Sequence, residues 1–468
     1  MPAIEKNQQV NSFLSAFFLC ACTFFTPVTW ALSVDDAKHL ALRTSFAASP
    51  ELMNALLPLS REEAVDYVMT RVEPDPLAPP DFVINRESVP KYKELSVDEK
   101  RAFRKLRWQQ RQVLKEWWME RMVTTRAPMQ EQMLLFWHNH FTTSGQKVGD
   151  PVLLYQQHEL LRNQSLGRFD LMLRLVMQDP AILNYLDNSQ NKKGKPNENL
   201  ARELLELYTL GEGNYTEQDI KETARALTGW ASDGPTRSFR FRVGQHDNGR
   251  KTILGESSHY TMPQVLDLVL NRPGTSQLIT SKLWKQFISP QPDPARVAEL
   301  AEYFKSHQYD IRSLMKQLLM DDAFWAAENR AVLVKSPVEM VVGLYRQMDA
   351  QSAPYRIMAG QSKQLGQDLF TPPNVKGWPI ASTEWVDTAT LLKRRTAIRR
   401  FMRAKEMNKN MKPNEGMLYE AAESWAQGEM FNYQKDWLLA MAPITEVDND
   451  QPIRTLRNLL DDPVYQLK

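Results

Sequence analysis

Apolar residues recur at helical spacing along most of the chain, and this pattern predicts an all-α, multi-helix protein. Segment 33–71 is expected to form two or three short helices, the first opening on Ser33 with acidic residues in its first turn. Segment 72–96 contains five prolines and predicts an extended connector, which is the best candidate for a domain boundary. From Ser96 to about Thr124 the pattern predicts one long amphipathic helix.

The clearest predicted helix pair comprises residues 198–210 and 217–228, and we expect it near the centre of the fold. Thr216 and Asp219 have the spacing of a capping box, which would open the second helix of the pair. That helix is expected to end at Gly229 because glycine readily adopts the left-handed conformation found after a helix.

A single β-hairpin is predicted around residues 238–254. The stretch "SFRFRV" alternates apolar and polar residues, Asn248-Gly249 can form a tight turn, and "KTIL" follows as the second strand. Further helices are expected over 262–350, and "FTPPNVKGWP" (370–379) predicts a rigid loop.

The N-terminus has the pattern of a secretory signal over residues 1–31. Lys6 precedes an apolar run from Phe13 to Phe25, which is short for a transmembrane helix, and small residues near Ala31 can form a cleavage site. The chain then divides into N-terminal helices with a Pro-rich connector (32–96) and a main helical domain (97–468). We expect a periplasmic or secreted protein; an uncleaved membrane anchor or a lipid on Cys22 remain alternatives.

Cysteine content and charge exclude several classes of site and partner. Both cysteines, Cys20 and Cys22, lie in the predicted signal, so the mature chain would hold no disulfide, zinc-thiolate site or cysteine nucleophile. The formal net charge of +2 indicates no particular partner. Basic clusters within 96–124 and 391–403 fit solvated helix faces or a surface for anionic polymers or lipid headgroups. Export argues against nucleic acid as a partner of these basic clusters.

The stretch "FWHNHFTTS" (136–144) contains two histidines one residue apart. Successive helical residues turn by about 100°, so His138 and His140 would point to nearly opposite sides of a regular helix. They can act together only where the helix breaks, and "TTSG" predicts a helix end just beyond them. Two interpretations stay open: structural histidines that are hydrogen-bonded in the core, or ligands and acid–base groups.

The stretch "NENLARELLELYTLG" (197–211) places polar residues on one face of a helix. Arg202, Glu203 and Glu206 share that face with Asn199, opposite the leucines. Two carboxylates beside an arginine can bind a metal or hold a general acid. An exposed salt-bridge network has the same spacing.

Two further motifs combine polar groups with turn residues. His246 and Asp247 precede Asn248-Gly249, where turn chemistry alone favours Asp and Asn. Lys376 in "PPNVKGWP" could face an anion, while Trp378 could anchor a packed loop. Gly-rich phosphate loops, His-Glu-x-x-His motifs and Gly-x-Ser-x-Gly elbows do not occur in the sequence.

Together, "FWHNHFTTS", "NENLARELLELYTLGEGNYTEQDIKETARALTGW", "HDNGRKTILG", "KLWKQF", "SPVEMVVGLYRQM" and "PPNVKGWP" in this order resemble the bacterial family catalogued as domain of unknown function 1800. The resemblance covers about 39–400. It implies an exported protein, often encoded beside exported proteins that look like the alkaline-phosphatase and sulfatase superfamily. The family's signatures fall on His138, His140, Glu198, Arg202, Glu203, His246, Asp247, Asn374 and Lys376.

The polar motifs and the family resemblance together suggest two alternative functions. The first is an exported hydrolase of an envelope or extracellular polymer, using acid–base chemistry or a divalent metal, whose candidate catalytic residues are His138, His140, Arg202, Glu203 and Lys376. Its candidate metal ligands are His138, His140, Glu203, His246 and Asp247. The second is a non-enzymatic partner or maturation factor for a phosphatase/sulfatase-like exported protein. A single site requires these side chains to converge in the fold.

Overall fold

The computed structural model of the protein describes residues 31–74, 76–85, 90, 92–348, 353–380, 382–403, 422–448 and 450–468. The predicted signal peptide lies outside these ranges except for Ala31. No helix within them is long and apolar enough to cross a membrane.

The architecture is all-α with a small β component, as the sequence predicts. The first helices are α1 (Val34–Thr44), α2 (Pro50–Leu56), α3 (Arg61–Thr70), α4 (Asp81–Ile84), α5 (Val97–Thr124), α6 (Pro128–His140), α7 (Gly145–Val148), α8 (Pro151–Gln164), α9 (Phe169–Met177) and α10 (Pro180–Tyr185). They are followed by α11 (Asn199–Glu203), α12 (Glu217–Ala226), α13 (Met262–Asn271), α14 (Pro273–Phe287), α15 (Pro294–Ser306), α16 (Ile311–Met320), α17 (Asp322–Trp325), α18 (Pro337–Gln347), α19 (Tyr355–Gln364) and α20 (Thr388–Arg403). Near the end of the chain, Phe431–Gln434 and Pro452–Asp461 are also helical.

Capping residues begin these helices where the sequence predicts. The Ser33 side chain accepts the N–H of Asp36 at the start of α1. Ser96 begins α5 and Thr216 begins α12, each in a complete capping box. These caps satisfy backbone donors that have no partner within the helix, so a few local residues determine where each helix starts.

The β structure differs from the predicted hairpin. Strand β1 (Trp230–Asp233) pairs with β2 (Ser238–Phe241), and β3 (Lys251–Ile253) pairs with β4 (Glu256–Ser258), both antiparallel. The predicted pairing of 238–243 with 251–254 is therefore wrong. The segment between β2 and β3 does not form a hairpin turn, and Asp247 within it is hydrogen-bonded to Arg225 of α12. The β3–β4 hairpin instead turns at 254–255, where both residues have positive φ, as a two-residue turn of the primed type requires.

A continuous apolar core joins the N-terminal helices to the rest of the protein. It includes Leu40 of α1, Trp118 of α5, Leu204 in the central region and Leu456 near the end of the chain. Leu204 is fully buried, so the helix pair lies inside the fold, as expected. The polar face of that helix is the part that carries the candidate chemistry.

Candidate functional site

Helix α6 ends at His140, where the neutral imidazole makes two hydrogen bonds. Lys282 Nζ lies 3.1 Å from His140 Nδ1, and because an ammonium group can only donate, Nδ1 must accept. Nε2 then carries the proton and donates to the Tyr208 carbonyl oxygen at 3.2 Å. Burial and the Lys282 charge hold the pKa of His140 well below its ordinary value, which agrees with a neutral ring.

The partners of His140 lie at the end of an irregular helix. Helix α11 continues as a π-helical segment, Leu204–Thr209. Its last turn leaves carbonyl groups without helical partners, and Lys282 Nζ donates to the Leu207 carbonyl at 2.9 Å. His140 and Lys282 therefore cap this segment together, and a cation is favourable at a helix C-terminus. Burial lowers the pKa of Lys282 to about 8.

His138 points into a different, aromatic environment. Its ring lies 5.0 Å from Trp118 and 5.1 Å from Phe370, measured between ring centroids. Its Nδ1 is buried without a hydrogen-bond partner in the described part of the chain. Burial lowers the pKa of His138 to about 4. The two histidines thus face different surroundings, as helical geometry predicts.

The loop 370–379 is attached to α6 through Asn139. The amide of Asn139 donates to the Trp378 carbonyl at 3.1 Å and accepts the Trp378 N–H at 2.7 Å. Gly377 makes this approach feasible: it has a φ of +81°, and a Cβ there would lie 2.2 Å from Asn139 Oδ1. The docked loop places Lys376 beside the polar face of α11.

Glu203 is a strongly perturbed carboxyl group on the polar face of this helix. It is half-buried, and burial together with the nearby charge of Glu206 raises its pKa to about 7. Arg202 and Lys376 act in the opposite direction but do not compensate. Among the described residues Glu203 has no hydrogen-bond or ion-pair partner. A half-buried carboxyl without such partners shifts its pKa because its charged form is poorly solvated.

Aromatic and basic side chains surround Glu203. Burial and the Glu203 charge raise the pKa values of Tyr185 and Tyr208. Lys147 Nζ lies 5.6 Å from the centroid of the Tyr185 ring. Glu206 accepts the hydroxyl of Tyr215 at 2.8 Å, so the second carboxylate of the motif is held in place.

Arg202 is the centre of a surface ion-pair network. Its two terminal nitrogens each donate to Glu217 at 2.8 Å, and Glu198 lies 3.5 Å away. Its side chain is about one third exposed. For Arg202, this arrangement agrees with the exposed salt-bridge network that the sequence offers as the alternative to a reactive site. The network also links α11 to the start of α12.

His246 and Asp247 are bound to α12 and to the residues that follow it. His246 Nδ1 lies 2.9 Å from the Thr228 carbonyl oxygen. Asp247 accepts from Arg225 at 2.8 Å and from the Gly249 N–H at 2.8 Å. The Arg225 hydrogen bond is the main cause that lowers the pKa of Asp247 to about 2. This carboxylate is fully engaged in holding the chain between β2 and β3.

The structure therefore brings three of the four polar motifs together. "FWHNHF" contacts "NENLARELLELYTLG" through His140 and Tyr208, and it contacts "PPNVKGWP" through Asn139 and Trp378. In the part of the chain that the structure describes, no group of three or more His, Cys, Asp or Glu side chains could hold a metal ion. The five ligands suggested by the sequence are thus not gathered in a metal-binding group: His138 faces aromatic rings, and Asp247 faces Arg225.

Two residues of this site are not among the candidates that the sequence predicts. Tyr185 shows no pattern that marks it in the sequence. Lys282 lies in "KLWKQF", but its partner His140 is 142 residues away in the chain. Only the fold brings such residues together.

Comparison with known proteins identifies a family but no activity. No curated protein and no solved structure matches the chain significantly. The model of the family described as protein of unknown function (DUF1800) matches residues 39–467, nearly the whole chain, and this protein therefore belongs to that family.

Proposed function

We propose that this protein is an exported hydrolase that acts on an envelope or extracellular polymer, with Glu203 as its general acid or base. The observation that carries this proposal is the state of Glu203: a half-buried carboxyl with a pKa raised to about 7, beside Glu206 and Lys376. A group whose pKa lies near the working pH is effective in proton transfer, because both of its forms are populated. Such perturbed groups concentrate at functional sites.

The surrounding residues can divide the work of a hydrolysis. Protonated Glu203 would donate its proton to the leaving group, and after deprotonation it would accept a proton from water. Glu206, held by Tyr215, is the second carboxylate available to stabilise positive charge or to orient water. Lys376 is exposed beside this pair and can neutralise an anionic group of the substrate.

Between the two mechanisms suggested by the sequence, the geometry favours acid–base chemistry. Glu203 lies near another carboxylate and two cations, whereas the imidazoles of His138 and His140 are occupied or enclosed elsewhere. His140 would act as a positioning residue that holds Tyr208, one of the rings beside Glu203.

A matched pair of variants tests the proposal. The purified protein would be incubated with a panel of polymers and chromogenic esters and glycosides, and released product would be quantified. Glu203→Gln removes the titratable proton at constant size and should lower any observed rate at least about 100-fold. Glu62→Gln, which removes an exposed carboxylate of α3, is the control and should leave the rate unchanged. Equal rates for wild type and Glu203→Gln would contradict the assignment.

Export is the second part of the proposal, and it rests on the apolar segment within 1–31. We expect the mature chain to begin near Leu32 and to accumulate outside the cytoplasm. N-terminal sequencing of the periplasmic or secreted fraction tests this. A full-length chain confined to the cytosol would contradict it.

The exposed face of α5 supports the second candidate function, a non-enzymatic partner of a phosphatase/sulfatase-like exported protein. Trp108 is 50% exposed on this helix, and Arg101, Arg104 and Lys105 are exposed beside it. Exposed aromatic and arginine side chains are typical of protein contacts. Co-purification of partner proteins with the wild-type chain and with Trp108→Ala separates the two functions. Loss of partner binding in Trp108→Ala, together with unchanged partner binding and no loss of hydrolysis in Glu203→Gln, favours the partner role.

A further inference from the structure

A polar cleft on another side of Asn139 contains a buried acceptor without a partner. The cleft has a volume of about 50 Å³ and is lined by Gln132, Asn139, Lys285, Glu339, Gln367 and Lys468, among others. This volume admits several water molecules or one group of similar size. Gln132 is 1% exposed, and its Oε1 has no hydrogen-bond partner among the described residues.

The orientation of the Gln132 amide is determined by its other end. Its Nε2 donates to the Ser45 carbonyl at 2.8 Å. A flipped amide would place two oxygens against each other there, so Oε1 is the atom left without a partner. A buried acceptor in this state costs free energy unless a donor reaches it. A molecule in the cleft that donates a hydrogen bond to Oε1 would remove this cost.

Cationic side chains lie at this cleft and behind it. Lys285 lines it and forms no hydrogen bond or ion pair within the described residues. Behind it, Glu339 is the anionic neighbour shared by four buried cations, which are Arg43, Lys335, Arg394 and Lys468. Four cations therefore share one carboxylate side chain, and this buried group carries a net positive charge. Burial, together with the charges of Lys468 and Arg394, lowers the pKa of Lys335 to about 7, against the effect of Glu339.

We propose that this cleft binds a phosphate group, with Lys285 contacting the anion and Gln132 Oε1 accepting its P–O–H proton. A hydrogenphosphate combines negative charge with an O–H donor, whereas sulfate at neutral pH carries the charge without a donor. Gln367 can also donate a hydrogen bond to the phosphate. Its Oε1 already accepts the Val338 N–H at 2.9 Å, and its side-chain Nε2 donates to no described residue. The group is either free phosphate or the head of a small monoester, and the monoester retains its P–O–H proton only below about pH 6.

Calorimetric titration of the full chain at constant ionic strength tests this proposal with inorganic phosphate, glycerol phosphate and sulfate as probes. The titration is run at about pH 5.5, where both phosphates keep a P–O–H proton and sulfate has none. We expect one phosphate site per chain and sulfate binding at least about tenfold weaker. Lys285→Gln should weaken phosphate binding at least about tenfold, because a charge-assisted contact is lost. Lys221→Gln, which removes an exposed lysine of α12 outside the cleft, should leave binding unchanged.

Several results would overturn the proposal: no phosphate binding, equal binding of phosphate and sulfate, or phosphate binding unaffected by Lys285→Gln. The comparison of the two anions uses the wild-type chain, so it stands even where a variant folds poorly. Tighter binding of glycerol phosphate than of inorganic phosphate would support the site and identify a monoester as its ligand. The readout is binding rather than turnover, so it is independent of the proposed role of Glu203.

Discussion

The two carboxylates Glu203 and Asp247 belong to polar motifs of similar appearance, but their surroundings differ. Asp247 receives hydrogen bonds from Arg225 and from the Gly249 N–H, and its pKa falls to about 2. Glu203 receives none from the described residues, and its pKa rises to about 7. A polar residue whose hydrogen-bonding capacity is met stabilises the fold. A polar residue whose hydrogen-bonding capacity is not met lowers the stability of the fold, and such a residue is expected where it has a function.

The largest expected effect comes from the residue next to Glu203, on the other face of the same helix. Leu204 is fully buried, so Leu204→Ala should reduce the free energy of unfolding by about 2 to 5 kcal/mol. Leu207→Ala is the matched control and should cost less, because Leu207 is only half-buried. Urea denaturation of both variants measures the difference. A loss below about 0.5 kcal/mol for Leu204→Ala would place this helix at the surface.

Replacing Asp247 tests whether that carboxylate is structural. Asp247→Ala leaves Arg225 without its partner and removes the acceptor of the Gly249 N–H, so we expect a loss of about 2 to 3 kcal/mol in unfolding free energy. Asp267→Ala is the control, because Asp267 pairs with Arg174 at the surface and such pairs contribute about 0 to 1 kcal/mol. Equal losses in the two variants would remove the distinction between Asp247 and an ordinary surface acid.

Local sequence determines much of the fold but not the pairing of its strands. The caps at Ser33, Ser96 and Thr216 act within three residues, and for that reason the helix starts could be predicted. The predicted strand pairing is wrong because β2 and β3 each pair with a different strand, β1 and β4. The segment between them instead contains a contact of Asp247 with Arg225, 22 residues away in the chain. No local pattern reports such a contact.

The candidate site could be predicted only in part, for the same reason. The sequence motifs predict Glu203 and Lys376 as site residues. The raised pKa of Glu203 depends on its enclosure in the fold, and the capping of the π-helical segment by Lys282 joins residues 75 positions apart. The helical periodicity of 197–211 gave no sign that the helix widens at Leu204.

Replacing His140 distinguishes a capping role from a reactive one. His140→Gln cannot keep both hydrogen bonds in the same geometry, so we expect a loss of about 1 to 3 kcal/mol in unfolding free energy. His307→Gln is the control, because His307 is exposed and its replacement should change stability by less than about 0.5 kcal/mol. A variant as stable as wild type but devoid of activity would instead assign His140 a direct role in the chemistry.

The smallest expected effect, and the sharpest test of the comparison, is the pH dependence contributed by Glu203. Below pH 4.5, the ordinary pKa of Glu, the carboxyl is protonated in both the folded and the unfolded chain and contributes nothing. Between pH 4.5 and about 7 the unfolded chain releases this proton while the folded protein retains it, so the contribution of Glu203 becomes increasingly unfavourable as pH rises. Above pH 7 the penalty is complete.

Glu203→Gln removes this titration. After allowance for solvent screening of a half-buried group, the variant should be about 1 kcal/mol more stable than wild type at pH 8 and equal to it at pH 4. Asp247→Asn should behave oppositely, because the folded-state pKa of Asp247, about 2, lies below the ordinary value of 3.8. The variant should be less stable than wild type above pH 4, and this difference should shrink as the pH falls toward 2. Chemical denaturation of both variants across this range measures the two trends. If the stability differences of the two variants changed with pH in the same direction, the two carboxylates would be equivalent. The proposed catalytic role of Glu203 would then be contradicted.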